Sequence, residues 1–313
     1  MKTKPIIFSG SAHPAFAKNL ATLLKARLGR SDIRKFPNGE LRLRILDEVR
    51  GQTVIVVQSL HNPSELHLVE FALLVDAVKQ SSCSKIIGVV PWLAYSLQDE
   101  QFLPGEPVSV KLIASWIDCL KLSVLLLLDV HSNKGVSYFK TPIRNVTHAE
   151  IFGQHVMTRS TNQTVIVAPD QGAVKRAQSI ASEVKSEVLV LEKSRDRFSG
   201  AIHYQSGTPD VRGKDCIICD DVVITGDTLV ESATILKEND ASSVVVYCTH
   251  ALFSQGSTQA ISESPIENLI VSDTIPIQKE FWFEKLEIVS AIPATAKALR
   301  PLLKEGTARK QNS

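Results

Sequence analysis

Short, uniformly apolar segments alternate with amphipathic helical patterns along almost the whole chain. Strands with no alternation of apolar and polar residues are typical of parallel sheets that helices cover on both faces. In the first half, strands are predicted at Pro5–Ser9, Thr53–Ser59, Lys85–Pro91 and Ser123–Asp129, and helices at Pro14–Leu28, Ser64–Gln80 and Val108–Leu120. Strands that alternate with helices of this length favour doubly wound, mostly parallel sheets.

The second half of the chain repeats this order after a break near residues 145–160. Strands are predicted there at Thr164–Ala168, Glu187–Glu192, Asp215–Val223, Ser242–Thr249, Asn268–Val271 and Leu286–Val289, and helices at Gly172–Val184, Gly226–Asn239 and Ala294–Lys304. We therefore predict an α/β protein with two tandem domains, 1–147 and 148–300, and a C-terminal end with a polar tail at 301–313. The pattern leaves open whether Ser290–Ala296 crosses back to the first half.

Composition excludes several classes of protein. The chain has 35 Lys and Arg against 33 Asp and Glu, a balance that argues against a strongly basic nucleic-acid binder. Apolar runs such as Val124–Leu128 are far shorter than the roughly 18 residues of a membrane helix. The N-terminal residues show no signal-peptide pattern. We expect a cytoplasmic protein that binds neither nucleic acid nor membranes.

Five cysteines, an odd number, suit a reducing compartment better than a disulfide framework. Cys216 and Cys219 form a C-x-x-C inside a predicted strand. Side chains three residues apart in a strand point to opposite faces, so this pair is predicted to be two buried thiols and not a metal or redox site.

The strongest functional signal follows the predicted strand Asp215–Val223. The strand carries an acidic pair, Asp220 and Asp221, and the chain then turns into a helix through Thr225, Gly226, Asp227 and Thr228. A helix N-terminus favours phosphate, and carboxylates accept hydrogen bonds from vicinal sugar hydroxyls. Ligands of doubly wound sheets bind outside the carboxyl ends of the strands. The segment therefore predicts a sugar-phosphate site; the alternative is a solvated turn with a capping threonine.

The apolar strand, the acidic pair and the Thr-Gly-x-Thr turn resemble the phosphoribosyl-pyrophosphate (PRPP) loop of type I phosphoribosyltransferases. Further motifs extend the resemblance, from Ser9 to about Ala296, to the ribose-phosphate pyrophosphokinase (PRPP synthetase) family. These motifs are Phe36-Pro-Asn-Gly-Glu40, Val49-Arg-Gly51, Val57-Gln-Ser59, Pro91–Asp99, Phe102–Val108, Leu128-Asp-Val-His131, Ala168-Pro-Asp-Gln-Gly172, Glu192-Lys-Ser-Arg195, Thr249-His-Ala251 and Ser272–Pro276. The P-G-E-P and E-K-S-R variants resemble the archaeal-type branch.

This resemblance implies two tandem type I phosphoribosyltransferase-like domains. It implies transfer of the β,γ-pyrophosphoryl group of ATP to the anomeric hydroxyl of ribose 5-phosphate, which gives PRPP and AMP, with Mg²⁺ as cofactor. ATP is expected on the first domain's side and ribose 5-phosphate on the second domain's side. The family also implies a homo-oligomer in which subunits share the ATP site.

The resemblance also implies a role for each matching residue. Lys193 and Arg195 are the catalytic cations that close over the transferring group, and His131 and Asp170 contact the metal. The residues implied in ATP binding are Phe36, Asn38, Gly39, Glu40, Gln98, Asp99 and His131. Those implied in ribose 5-phosphate binding are Asp220, Asp221, Thr225, Gly226, Asp227 and Thr228. Without the family context, Lys193 and Arg195 would be predicted as solvated loop charges and Asp99 as a local cap or ion-pair partner.

Several positions depart from the family pattern. The family has an arginine that contacts the ATP phosphates where this chain has Leu97, and Asn38 replaces an aspartate. Asp227 places a carboxylate beside the phosphate site, which is unfavourable unless it points outward or toward metal. These departures leave open a non-catalytic homologue that regulates or assembles with an active synthetase, and, less favoured, a phosphoribosyltransferase-type enzyme. The retained metal-contact and cationic residues favour the active synthetase.

Overall fold

The chain forms two compact units. The structure is a computed structural model that describes residues 4–159, 163–191, 193–195, 202–204 and 210–304. Among these residues, the first unit comprises 4–146, Thr274–Pro276 and 291–304. The second unit comprises the described residues of Thr147–Asp273 together with Ile277–Ser290.

The first unit is built on a six-stranded parallel sheet in the order β2-β1-β5-β6-β7-β8. The strands up to Val146 are β1 (Ile6–Ser9), β2 (Arg27–Leu28), β3 (Ser31–Lys35), β4 (Leu41–Ile45), β5 (Thr53–Val57), β6 (Lys85–Val90), β7 (Val124–Leu128) and β8 (Ile143–Val146). The helices over the same part are α1 (Pro14–Leu24), α2 (Ser64–Gln80), α3 (Ser109–Cys119) and α4 (Asn133–Ser137). Strands β3 and β4 form a separate antiparallel hairpin.

The second unit repeats this architecture with a parallel sheet in the order β10-β9-β13-β14-β15-β16. Its strands are β9 (Thr164–Ala168), β10 (Val188–Val190), β11 (Lys193–Arg195), β12 (Ile202–Tyr204), β13 (Asp215–Val223), β14 (Ser243–Ala251), β15 (Asn268–Ser272) and β16 (Leu286–Val289). Its helices are α5 (Ala149–Met157), α6 (Val174–Val184), α7 (Asp227–Glu238) and α8 (Ser257–Glu263); the last helix of the chain is α9 (Ile292–Lys304). Strands β11 and β12 pair antiparallel. No described helix combines the length and the apolar character needed to span a bilayer.

Burial on both faces explains why the strands show no alternation. In β5, Val54 and Val56 pack on one face of the sheet with Phe71 of α2. The intervening Ile55 and Val57 pack on the other face, in the same cluster as helix α1. Each side chain of the strand therefore meets an apolar layer, and the predicted fold class of two parallel, doubly wound α/β domains is confirmed.

The same geometry accounts for the C-x-x-C. Cys216 and Cys219 are both fully buried in β13, Cys216 in the cluster on one face of the sheet and Cys219 in the cluster on the other. All five cysteines are free thiols. The pair is therefore two packing residues, as the strand spacing predicts.

The predicted helix Pro14–Leu28 is too long. The helix ends at Leu24 because Lys25 adopts a left-handed conformation with φ 53°, and its N–H closes the last turn. The chain then returns to the sheet, where Arg27 and Leu28 pair with Ile6 and Ile7. A two-residue edge strand carries too little pattern to be predicted.

The C-terminal boundary of the second domain also differs from the prediction. Helix α9 lies in the first unit, where Ile292, Ala296 and Leu299 are buried in the same cluster as Phe16. The Lys85 side chain donates a hydrogen bond to the carbonyl of Leu302 at 2.8 Å, which satisfies one of the orphan carbonyls at the end of this helix. The chain therefore returns to the first unit at Ala291, which answers the question that the sequence pattern leaves open.

Because Leu299 is fully buried, Leu299→Ala is expected to lower the free energy of unfolding by about 2–5 kcal/mol through the cavity that it creates. Arg300→Ala, one residue along on the exposed face of α9, is the matched control. Urea unfolding followed by circular dichroism measures both variants. Equal midpoints for the two would contradict the docking of α9 into this core.

Candidate functional site

The strand, turn and helix predicted to bind a sugar phosphate form at the carboxyl edge of the second sheet. Strand β13 runs to Val223 and α7 begins at Asp227. Gly226, the N-cap residue, has φ 87°, and a Cβ on it would lie 2.9 Å from the side chain of Ile261. Only glycine fits this turn without strain or displacement of Ile261. The amide groups at the start of α7, which have no partner within the helix, therefore follow immediately after a turn in which a side chain would not fit.

The hydroxyls predicted to assist this turn lie around it. Thr225 is exposed, and its Oγ1 accepts a 3.5 Å hydrogen bond from the amide of Asp227. Thr228 is half-buried in the first turn of α7. Asp227 is exposed to solvent, so its carboxylate is not buried against the start of α7.

The acidic pair lies a few residues before this turn, within β13. Asp221 is buried, and its amide donates a 2.8 Å hydrogen bond to Oδ1 of Asp220. Burial, the negative charge of Asp221 and the hydrogen bond between the two side chains raise the pKa of Asp220 to about 8. The site thus holds two adjacent carboxyl groups, and the pKa of Asp220 is well above its ordinary value.

Arg176 faces this pair from helix α6 and was not among the predicted site residues. Its Nη1 atom lies 3.9 Å from Oδ1 of Asp220 and 3.7 Å from Oδ1 of Asp221. The positive charge lowers the pKa of Asp220 and so opposes the effect of burial. A signal for it exists in the sequence: Arg176 falls in the first turn of a helix, where a cation opposes the helix dipole unless it has another partner.

Asp170 lies at the same edge of the sheet. It follows β9, and β9 pairs in parallel with β13, so the two strands end on the same side. Its Oδ1 accepts a 3.1 Å hydrogen bond from the amide of Ala173 and thereby caps the short helical turn Gln171–Ala173. The structure therefore places Asp170, Asp220 and Asp221 at one sheet edge.

The predicted catalytic cations lie on strand β11. The backbone of Lys193 and Arg195 pairs with that of Tyr204 and Ile202 in β12. The side chains of Lys193 and Arg195 lie outside the described residues, as does Glu192 of the same motif.

In the first unit, the predicted adenine-binding residues form the tip of the β3–β4 hairpin. The amide of Phe36 donates to the carbonyl of Glu40 at 2.8 Å, and Gly39, with φ 90°, donates to the carbonyl of Phe36 at 2.8 Å. Oδ1 of Asn38 accepts from the amide of Glu40 at 3.2 Å. Phe36 is 46% exposed. The tip is an ordered turn that presents an aromatic ring to solvent.

The remaining predicted nucleotide contacts meet near the end of β7. The hydroxyl of Ser132 donates to the carboxylate of Asp99, and the Tyr138 hydroxyl donates to the Asp99 carbonyl at 3.0 Å. His131, the residue before Ser132, is exposed. Gln98 accepts a hydrogen bond from the hydroxyl at the start of α3. Gln98 and Asp99 are thus tied to helix α3 and to the loop that carries His131.

The raised pKa of Asp220 has a consequence for stability. Between about pH 4, where an unfolded aspartate titrates, and about pH 8 the folded protein holds a proton that the unfolded chain releases, so folding stability falls as pH rises through this window. Asp220→Asn removes this loss and keeps the oxygen that accepts from the amide of Asp221. The part of this window above pH 5 spans about three pH units at about 1.4 kcal/mol each. The stability of the variant relative to wild type is therefore expected to be higher at pH 9 than at pH 5 by about 4 kcal/mol.

Urea unfolding at pH 5 and pH 9 measures this gain. Asp227→Asn, which removes an exposed carboxylate from the same segment, is the matched control and is expected to show no comparable pH dependence. A stability difference between Asp220→Asn and wild type that stays constant with pH would contradict the raised pKa.

Comparisons with known proteins match both units. The N-terminal domain of ribose phosphate pyrophosphokinase matches residues 5–120, and the phosphoribosyl transferase domain matches residues 137–282. The ribose-phosphate pyrophosphokinase of Aquifex aeolicus is 34% identical over 302 residues, which cover 96% of each chain. That of Wolinella succinogenes is 31% identical over 294 residues, 94% of each chain.

A solved structure agrees with these sequence matches. The crystal structure of phosphoribosylpyrophosphate synthetase from Mycobacterium smegmatis matches with a TM-score of 0.89 at 27% identity, over 96% of this chain and 99% of that one. These relatives are bacterial, and the archaeal-type placement stays a prediction. With both domains matched and about a third of the residues identical over nearly the full length, the chain belongs to the ribose-phosphate pyrophosphokinase family.

Proposed function

We propose that this chain transfers the β,γ-pyrophosphoryl group of ATP to the anomeric hydroxyl of ribose 5-phosphate and forms PRPP and AMP. The observation that supports this most is the edge of the second sheet, where the partly buried Asp220 and the buried Asp221 are followed by a glycine-capped helix N-terminus. Such an edge offers acceptors for sugar hydroxyls and donors for a phosphate on one short segment. The curated relatives bear the name of this activity.

Ribose 5-phosphate is proposed to bind along β13 and the start of α7. Its 5-phosphate accepts hydrogen bonds from the first amides of α7 and from the hydroxyls of Thr225 and Thr228, where the helix dipole favours an anion. Its vicinal hydroxyls donate to the carboxylates of Asp220 and Asp221. Asp227, at the start of α7, is solvent-exposed and can leave the phosphate undisturbed.

ATP is proposed to bind to the first unit. The exposed ring of Phe36 provides a stacking face for adenine, and Asn38 and Glu40 on the same turn provide polar contacts to the nucleoside. Gln98 and Asp99 complete the nucleotide site together with the exposed His131. Because the hairpin tip extends into solvent in a single chain, we propose a homo-oligomer in which the tip reaches the ATP of a neighbouring subunit. The five free thiols fit the proposed cytoplasmic location.

The residues fit Mg²⁺ that arrives with the nucleotide better than a preformed metal site. Over the described residues, no group of three or more His, Cys, Asp or Glu could hold an ion. Mg²⁺ commonly takes one or two carboxylates and completes its shell with waters and substrate phosphates, and the partly exposed Asp170 can supply such a carboxylate. His131 is proposed as a further contact. The bound ion supplies positive charge to the phosphate oxygens.

The proposed reaction needs positioning and neutralisation of charge more than covalent help from the protein. The anomeric oxygen of ribose 5-phosphate attacks the β-phosphorus of ATP in line and loses its proton. The bond between the β-phosphorus and the bridging oxygen to the α-phosphate breaks, and AMP leaves with that oxygen. Lys193 and Arg195 are proposed to close over the transferring group and to stabilise its charge.

Formation of AMP from ATP, ribose 5-phosphate and Mg²⁺ tests this proposal. Lys193→Ala is expected to reduce kcat by about 10²–10⁴, the usual effect of removing one group that stabilises charge in a transition state. Lys279→Ala, which removes an exposed lysine of the second unit, is the control and is expected to keep the wild-type rate. An unchanged rate in Lys193→Ala would remove this residue from the mechanism.

Leu97 is the observation that favours a second candidate, a non-catalytic homologue that regulates or assembles with an active synthetase. An apolar, partly exposed side chain at this position cannot supply the charge that the family's arginine gives to the ATP phosphates. Calorimetry separates the two candidates. A folded protein that binds no ATP and forms no AMP would support the non-catalytic homologue and contradict the synthetase.

A further inference from the structure

We infer that Arg176 is a positioning residue that holds the side chains of Asp220 and Asp221 in place and so contributes to the selection of ribose over 2-deoxyribose. This inference deepens the proposed function and rests on its assignment of the sugar hydroxyls to the acidic pair. Arg176 lies on α6, and both carboxyl groups lie on β13.

The geometry is that of a bridge between two carboxylates. One nitrogen, Nη1 of Arg176, lies at nearly equal distances from Oδ1 of Asp220 and Oδ1 of Asp221, 3.9 and 3.7 Å. These are ion-pair distances, longer than hydrogen bonds. One guanidinium that attracts both side chains restrains their separation, which must match the separation of two vicinal hydroxyls.

Arg176 does not stabilise the helix that carries it. A cation in the first turn of α6 opposes the helix dipole. Its side chain is only 12% exposed, so little of its charge is solvated by water. Negative charge nearby offsets both costs, and the acidic pair of β13 supplies such charge.

The acidic pair also gives the bound sugar a direction. The oxygens of both side chains can accept hydrogen bonds from hydroxyl groups, whether or not Asp220 keeps its proton. The pair therefore favours the hydroxyls of the sugar, and the amide groups at the start of α7 favour the 5-phosphate. Arg176 lowers the pKa of Asp220, so that without it the pair retains a proton more firmly.

Selectivity against 2-deoxyribose 5-phosphate follows from this arrangement. That sugar lacks one hydroxyl, so one of the two buried acceptors loses its donor. A site built to hydrogen-bond a substrate hydroxyl rejects the analogue that lacks it by as much as about 10⁴–10⁵. The rejection depends on both side chains being held in place opposite the two hydroxyls, which is the role inferred for Arg176.

Arg176→Gln and Arg176→Lys test the inference, with Lys175→Gln as the control that removes one exposed positive charge from the same helical turn. Calorimetry gives the Kd of ribose 5-phosphate and of 2-deoxyribose 5-phosphate, and steady-state kinetics gives KM and kcat. For Arg176→Gln we expect the Kd and KM of ribose 5-phosphate to rise about 10–100-fold and the ribose preference to fall at least about tenfold, with the KM of ATP unchanged. Arg176→Lys, which keeps the charge, is expected to recover part of the preference.

Two results would overturn the inference. One is a folded Arg176→Gln with the wild-type preference for ribose; the other is an equal loss for both sugars in both variants, which a merely structural role produces. If Arg176→Gln fails to fold, Arg176→Lys alone decides, since an unchanged preference and unchanged Kd there contradict the bridge. Failure of the proposed function is recognised separately, because wild type would then bind no ribose 5-phosphate in the same calorimeter.

Discussion

Burial of both faces of each parallel sheet is the constraint on which the site depends. Val54 and Ile55 are neighbours in β5, and their side chains pack in apolar layers on opposite faces of the sheet. Neither face of this strand can therefore carry a polar ligand site. Chemistry is then confined to the carboxyl ends of the strands, where Asp220 and Asp221 lie, and to the segments that follow them. The loops after β7, β9 and β13 begin there, and these are the loops that hold His131, Asp170 and the turn at Gly226. The same fold built twice thus provides two edges, one proposed for each substrate.

At the carboxyl edge of the second sheet, the residues proposed to bind ribose 5-phosphate lower the stability of the fold. Asp220 and Asp221 lie in a strand that is otherwise apolar, and burying two adjacent carboxyl groups is unfavourable unless charge is neutralised or a proton is retained. Arg176 supplies part of the neutralisation from a helix position that does not favour a cation. The turn into α7 is a further constraint, because its left-handed residue, Gly226, is tolerated there only without a Cβ. Features that weaken the fold locally are concentrated where a sugar phosphate would be held.

The elements that could be predicted are those whose signal is local. Thr164–Ala168, Asp215–Val223 and Ser64–Gln80 have the predicted bounds, because uniformly apolar strands and a long amphipathic helix carry their own pattern. The β3–β4 hairpin could not be predicted, since both of its strands mix charged with apolar residues and lack the uniformly apolar pattern. The place of α9 could not be predicted either, because an apolar helix face indicates burial and not which sheet covers it.

The candidate site likewise contains residues that could be predicted from the sequence and one, Arg176, that could not. The acidic pair, the glycine turn and the helix start are contiguous in sequence, and their order alone predicts a sugar-phosphate site. Arg176 lies more than forty residues from the pair along the chain. Only the parallel pairing of β9 with β13 brings the helix after β9 to the pair, and a single sequence does not specify that pairing. The unfavourable position of Arg176 in the first turn of its helix is the one local sequence signal of its contact with the acidic pair.

Phosphorus NMR of the products tests the central claim most directly, because it distinguishes attack at the β-phosphorus from attack at the γ-phosphorus. Incubation of the protein with ATP, ribose 5-phosphate and Mg²⁺ is predicted to give equal amounts of AMP and of a sugar that carries a diphosphate on its anomeric carbon. Consumption of ATP to ADP would contradict pyrophosphoryl transfer. Unchanged ATP in the presence of folded protein would contradict catalysis by this chain altogether.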